Sequence, residues 1–338
     1  MKEYVLKKSN RTKYVYIISI FIVILTLLIG GYYITKEKHK KVSKSKSINM
    51  TITVNKSYKG GRLLKSGSYM YYEKNKKVKH IASVKHNAQY SITYYDKNSG
   101  LLYYTSNTDI NRENGDELYS YNIKTHKKKQ LTKGLYAVND IIPIGKEKLL
   151  IIGVKGNSRV ITAFAYNIKT QKLKSLGWDK DFNIYAAYRN PDNGKIYVSG
   201  YSYKKSEQII DDLNNEKIKK GSAGSTVYEI FDDGSHKKIF SCNEKSISDF
   251  AIDENYILCS TYYDSNSIDM FIHNIELYDL NTKNKEKISK IQTNGGEILY
   301  FNKQKNYIIL NNKDSITKVN TKNGNSDVLY EVDGIKNV

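Results

Sequence analysis

The chain has 338 residues and a net charge of +21, with 39% apolar residues, 31 Tyr, one Trp and two Pro. That length holds one large domain or two ordinary ones, and the Tyr-rich, Pro-poor balance leans towards strands. The charge invites a nucleic-acid partner, but residues 1–49 hold 11 of the 55 Lys and Arg and 2 of the 34 Asp and Glu, and the remaining +12 is spread without an RNP-like or zinc-finger pattern. The expectation is no nucleic acid, and an affinity for anionic lipid or an anionic envelope polymer.

In chain order, a short basic tail (1–13) precedes "YVYIISIFIVILTLLIGGYYI", residues 14–34, which runs 21 residues without a charge. At 1.5 Å per residue it spans the hydrocarbon core of a bilayer, with Tyr14, Tyr16, Tyr32 and Tyr33 as interfacial anchors. No A-x-A-like cleavage site follows, and no Cys that would direct lipoprotein processing, so the segment is expected to stay as an uncleaved signal anchor. Lysines flank both sides and the charge rule nearly cancels. Long domains translocate largely regardless of charge. The expected placement is a single-pass cell-membrane protein of a Gram-positive bacterium, its N-terminus cytoplasmic and residues 50–338 outside. Residues 35–49 read as a basic, solvated stalk. Cys242 and Cys259 fit one optional bridge or two buried thiols equally.

From residue 50 onwards the chain repeats itself. "YNIKTHKKKQL" begins at Tyr121 and "YNIKTQKLKSL" at Tyr166, with weaker copies from Tyr71, Ile230, Tyr278 and Thr317. Each copy is a strand, a polar turn and a Lys-rich strand, which is a hairpin. Ahead of most copies stand two further apolar runs, such as "NDIIPI" then "KLLIIGV", or "ISDFAI" then "NYILCSTYY". Four strands per unit of 40–50 residues is the signature of propeller blades. Six anchors predict an all-β propeller of about six four-stranded blades, with five and seven left open, each copy closing the outer hairpin of one blade. The first unit is short, and its missing strand is expected from "MTITVN" or from the C-terminal "YEVDGIKNV".

The stretch "NGDELYSYNIKTHKKKQLT" (Asn114–Thr132), after "YYDKNSGLLYYTSNTD", resembles the TolB-type, WD40-like propeller repeat, and "GKIYVSGYS" and "IELYDLNTKNKEKI" are similar to it more loosely. The resemblance covers about residues 85–330 as architecture. It implies a fold and a binding surface, in a family that includes scaffolds, peptidase caps and lyases, and no particular reaction.

The sequence yields no catalytic, cofactor-binding or metal-ligating residue. "GSAGS" (Gly221–Ser225) places Ala223 where a G-x-S-x-G nucleophile would stand. His39, His80, His86, His126, His236 and His273 form no zinc motif. The acidic loop Asp109–Glu117 has Gly115 one position late for an EF-hand and runs on into a strand, so an ordinary turn is expected there. The function expected is a non-catalytic binding or scaffold module for a protein, peptide or envelope polymer. The alternative is an envelope lyase or hydrolase with its site at the channel mouth, marked by His, Glu, Arg and Tyr converging there. One break interrupts the repeat: the anchor spacing widens between Tyr166 and Ile230, with the excess at residues 204–225. That insertion reads as a solvent loop, or as a short helix from a Ser206 cap through Lys220 serving as a contact arm.

Overall fold

The computed structural model describes residues 49–59, 62–72, 77–85, 92–107, 115–145, 147–265, 274–288, 291, 296–312 and 315–331. The expected membrane span and its flanks, most of the acidic loop, His39, His86 and His273 lie outside them, as do residues 332–338.

Six antiparallel sheets follow one another. Blade 1 holds β1 (Asn49–Lys59), β2 (Arg62–Tyr72) and β3 (Lys77–Lys85). Blade 2 holds β4 (Thr93–Asp96), β5 (Leu101–Ser106), β6 (Glu117–Asn122) and β7 (Lys128–Gln130). Blade 3 holds β8 (Leu135–Ile144), β9 (Lys148–Lys155), β10 (Thr162–Asn167) and β11 (Lys172–Ser175). Blade 4 holds β12 (Phe182–Arg189), β13 (Ile196–Ser202), β15 (Ser225–Ile230) and β16 (His236–Cys242). Blade 5 holds β17 (Ser246–Asp253), β18 (Tyr256–Tyr262), β20 (Asn274–Asp279) and β21 (Lys285–Glu286). Blade 6 holds β22 (Glu297–Asn302), β23 (Tyr307–Asn311), β24 (Ser315–Asn320) and β25 (Ser326–Glu331). Five blades thus have four strands and the first has three, and every repeated phrase forms an outer hairpin.

The phrase recurs because its turn does. Asn122, Asn167, Asp279 and Asn320 each accept backbone N–H bonds from two or three residues on, at 2.8–3.2 Å. Four residues on, His126, Gln171, Lys283 and Gly324 sit at φ of 56–76° and return their N–H to the Asn or Asp carbonyl. An Asx side chain thereby substitutes for a backbone partner, and a left-handed residue reverses the strand. His126 occupies that strained slot, with Nδ1 2.5 Å from the Tyr121 hydroxyl. It is a turn residue.

The ring closes by packing. One apolar cluster follows another across each seam: Met70, Tyr95 and Leu102 join blades 1 and 2, and Tyr103, Leu118 and Ile151 join blades 2 and 3. Ile152 and Val198 join blades 3 and 4, Phe240 and Phe250 join blades 4 and 5, and Leu258 and Phe301 join blades 5 and 6. Ile52, Tyr71, Tyr300 and Ile309 then join blade 6 back to blade 1. "MTITVN" does supply the inner strand of blade 1. Tyr330 and Glu331, by contrast, belong to β25 on the outside of blade 6, so the described C-terminal residues add no strand to blade 1.

Blade 1 also differs in direction. Thr53 bonds to Thr93, and Thr51 receives the N–H of Tyr95. One number rises as the other falls, so β1 runs antiparallel to its neighbour β4. Between blades 5 and 6, Asp249 receives Ile298 N–H and Asp253 receives Lys303 N–H. Both numbers rise together, so β17 and β22 run parallel.

The insertion leaves blade 4 between its second and third strands. A helix, α1 (Tyr203–Asn214), starts at Ser202, whose Oγ accepts the N–H of Lys205 at 3.1 Å. Ser202 Oγ also donates to Asp181 at 2.6 Å, and Asp181 accepts Lys204 N–H at 2.8 Å. This corrects the expected Ser206 cap. The helix begins four residues earlier and stops at Asn214, so no acidic residue falls in its first turn and no basic one in its last. The chain returns through β14 (Lys220–Gly221), paired with β19 (Asp264–Ser265) of the blade 5 loop. Only Leu213 of α1 is buried. Cys242 and Cys259 are both free thiols, the second buried.

Two outcomes test this architecture. Ile309→Ala, at 1% exposure in the closing seam, is expected to cost about 2–5 kcal/mol, comparable to Ile151→Ala in the seam of blades 2 and 3, by urea unfolding. A cost under about 1 kcal/mol would show that the ring does not depend on that seam. Replacing Tyr203–Lys220 by one Gly, which keeps Ser202 and the Ser225 hydroxyl that accepts Ile247 N–H, should shift the melting temperature by less than about 4 °C.

Candidate functional site

Inner strands of a propeller have one open edge, facing the axis. Here that edge borders a channel of about 340 Å³ to which all six blades contribute. In blades 3 to 6 the inner strand carries a β-bulge, between Val138 and Asp140, Ile184 and Ala186, Ile247 and Asp249, and Ile298 and Tyr300. A bulge turns one residue out of the ladder and re-aims its neighbours. Asp140 and Asp249 stand at the same position after the bulge, in blades 3 and 5, and Glu297 opens β22 of blade 6. Blade 1 brings the hydroxyls of Thr51 and Thr53, blade 2 brings Tyr94, and blade 4 brings Tyr188 and Arg189.

The three carboxyls sense one another. Burial pushes Asp140 up from 3.8 to about 7 and Asp249 up from 3.8 to about 8, with the Glu297 charge adding to each shift. Burial also raises Glu297, although its side chain keeps accessible surface. It faces a lumen that water reaches but that protein encloses, and the enclosure starves its charge of solvation. Backbone donors oppose these shifts: Ile141 N–H bonds to Asp140 at 2.7 Å, and Phe250 N–H and Ile298 N–H bond to Asp249. Asn311 donates to Glu297 at 3.1 Å. Among the described residues, no Lys or Arg pairs with any of the three.

Elsewhere the same protein compensates a buried carboxylate fully. Glu276, 2% exposed, receives Lys245, Lys285 and the Tyr278 hydroxyl. Burial alone would raise its carboxyl, and these donors instead hold it at about 2. The channel carboxyls lack that treatment. Two further polar atoms there are unpartnered: Asn139 Oδ1, and the hydroxyl of Tyr188, a residue 5% exposed. At the other end, Arg189 stands exposed between the channel and a second cavity of about 520 Å³ that also touches Asp96, Tyr103 and Lys148.

The face on which inner strands begin carries the other notable features. Phe182 pairs with Ser202, so α1 rises on this face beside the start of β12. Tyr136 and Tyr185, 57% and 47% exposed, lie in the first half of β8 and β12. Tyr185 neighbours Tyr201 and Tyr262, with ring centroids 6.2 and 6.4 Å away.

Sequence reasoning named none of these residues. "VNDII" and "ISDFA" do carry a signal, an Asp inside an apolar inner strand, but alternation explains it as well. The residues that sequence reasoning weighed are placed apart: His126 in the turn of blade 2, and His236 stacked on Trp178 at 4.1 Å beside blade 4. Of the acidic loop, Glu117 binds Thr132 Oγ1 at 2.6 Å and Leu135 N–H at 3.0 Å, tying blade 2 to blade 3.

No family model matches the chain, and no curated protein matches it. Among solved structures the chain is similar to one in a nidogen/laminin complex, at 9% identity and a TM-score of 0.49, covering 82% of this chain and 92% of that one. It is similar to the tricorn protease at 15% identity and 0.47, covering 84% of this chain and 26% of that one. It is also similar to TolB from Acinetobacter baumannii at 15% identity and 0.42, covering 77% and 58%. The propeller itself is established by the strand pairing and the packing of its seams.

Carboxyls raised by folding make stability pH-dependent with a definite sign. Between the unfolded value of 3.8 and the folded values of about 7 and 8, the folded state holds protons that the unfolded chain has released. Stability therefore falls as pH rises across that window and levels off above it. Glu297→Gln removes the shared repulsion. It is expected to raise the melting temperature at about pH 9 by at least about 2 °C, with little effect at about pH 4. An unchanged or lowered melting temperature at high pH would mean that the three carboxyls do not share one field.

Proposed function

We propose that the chain is a membrane-anchored, extracytoplasmic propeller that acts as a non-catalytic binding or scaffold module. The observation that carries the binding role is the channel, where Asp140, Asp249 and Glu297 from three blades border one cavity with no Lys or Arg paired to them, in a propeller that also exposes Tyr136 and Tyr185 on its inner strands. Unpaired polar groups and exposed aromatic rings on a rigid scaffold are characteristic of recognition surfaces. The anchoring part rests on the uncharged run at residues 14–34. A bacterial cell membrane, a protein or anionic envelope polymer as partner, and residues 204–225 as a contact arm complete the proposal. The Lys-coated exterior suits a polymer of opposite charge.

One observation favours the alternative of an envelope lyase or hydrolase. Carboxyls that titrate near 7 and 8 are poised for general acid–base work. A purified chain that turns over envelope polysaccharide or peptide, and loses this in Asp140→Asn, would decide for the enzyme.

Topology is tested separately. Protease added to intact, wall-stripped cells is expected to digest residues 50–338 and leave a small protected N-terminal fragment. Digestion of the propeller only after lysis would overturn the outward placement.

A further inference from the structure

Resting on the binding-module reading, we infer that the channel mouth formed by Asp140, Asp249 and Glu297 receives a guanidinium or ammonium side chain from a basic peptide segment of a protein partner. Four observations converge on it. Three carboxyls from three blades border one cavity, and none of them is paired with Arg189, which also lines it, or with any other described Lys or Arg, in a chain with 55 Lys and Arg. Keeping like charges together destabilises the fold, and such an arrangement persists where function requires it.

The edge N–H groups do not explain the charge. Thr51 and Thr53 satisfy equivalent needs in blades 1 and 2 with neutral hydroxyls. An Asn would serve Ile141 N–H as well as Asp140 does, so the negative charge is surplus to the backbone's needs. The third observation is independent of the carboxyls. Asn139 and Tyr188 both line the same cavity, and Asn139 Oδ1 and the Tyr188 hydroxyl are buried without a partner. A donor-rich cation is what such acceptors lack, since leaving them unpaired costs stability.

Last, Tyr136 and Tyr185 stand exposed in the first halves of the inner strands β8 and β12, and aromatic rings attract the charge of a Lys or Arg to their faces. The net charge of +21 does not forbid this. Screening reduces surface repulsion beyond about 8 Å at physiological salt, whereas the channel charges act at contact range. The titratable and charged groups facing the site are Tyr94, Asp140, Tyr188, Arg189, Asp249 and Glu297, and β1 contributes none. Arg189 opposes a cation, which directs entry to the mouth at the far end from it.

The test uses the full-length chain in neutral detergent micelles and a fluorescent hexapeptide of alternating Gly and Arg. Arg stays charged throughout, so any pH dependence belongs to the protein. Saturable binding is expected at about pH 9, weakening at least about tenfold at about pH 6 as the channel takes up protons. Asp140→Asn and Glu297→Gln, each of which keeps its hydrogen-bond acceptor, should each weaken binding at least about fivefold with the melting temperature kept or raised. Asp249 is left intact because both its oxygens accept backbone N–H bonds. Three results overturn the inference: no binding, binding untouched by either variant, or full displacement of the peptide by millimolar Ca²⁺, which would make the channel a metal site.

Co-purification from membranes separates this from the wider reading. A partner retained equally by wild type and the doubly neutralised variant sinks the channel inference and leaves the scaffold role standing. Absence of any partner from both, with the peptide bound as expected, sinks the scaffold role alone.

Discussion

The structure depends on how the inner edge of each blade is satisfied. A sheet edge presents unpaired N–H and C=O groups, and an open edge invites a further strand. Closing six blades around an axis hides those edges from other chains but also denies them a partner. The protein answers with side chains. Thr51 and Thr53 reach from β1 to the N–H groups of β4, and Asp249 and Asp253 reach from β17 to the N–H groups of Ile298 in β22 and of Lys303 just after it. Polar residues must therefore stand at the axis of an otherwise apolar ring. Once they stand there, their charge becomes available to a ligand.

The same constraint accounts for the reversed first blade. With three strands, blade 1 has no strand running with its neighbours at the axis, and β1 turns towards the channel instead. Its alternation puts Ile52 and Val54 into the closing seam, while Thr51 and Thr53 border the channel. A strand of alternating Thr and apolar residues serves in either direction, because side-chain alternation is unchanged by reversal. Apolar contact between blades 1 and 6 then closes the ring without a shared strand.

Most of the fold was legible because the turns are chemically explicit. An Asn or Asp followed four residues later by a left-handed position is a local structure that a repeated phrase can spell, and the strands between turns had only one arrangement of period two. Direction was not legible for β1, for the reason just given. The helix start was misplaced because Ser202 and Ser206 are equally good caps in isolation. Asp181, 21 residues away, holds Ser202 and Lys204 and decides between them. The channel carboxyls stayed hidden because Asp140 and Asp249 alternate like any solvent-facing residue. That they share one lumen with Glu297 is a property of the ring, which no local window contains.

A repeat also dictates where specificity can reside. The turns, the strand alternation and the seams are shared by all blades and are needed for closure, so they are poor places to encode a partner. The position after the inner-strand bulge is different: it carries Asp140, Ala186, Asp249 and Tyr300 in four successive blades. Backbone geometry there is common to all four, while the side chains differ in charge and size. Of the four, Asp140 and Asp249 border the channel, while Ala186 packs against the core and Tyr300 fills the closing seam. The acid on blades 3 and 5 shares that channel with neutral threonines of blades 1 and 2. The channel lining of this molecule is set by the departures from its repeat.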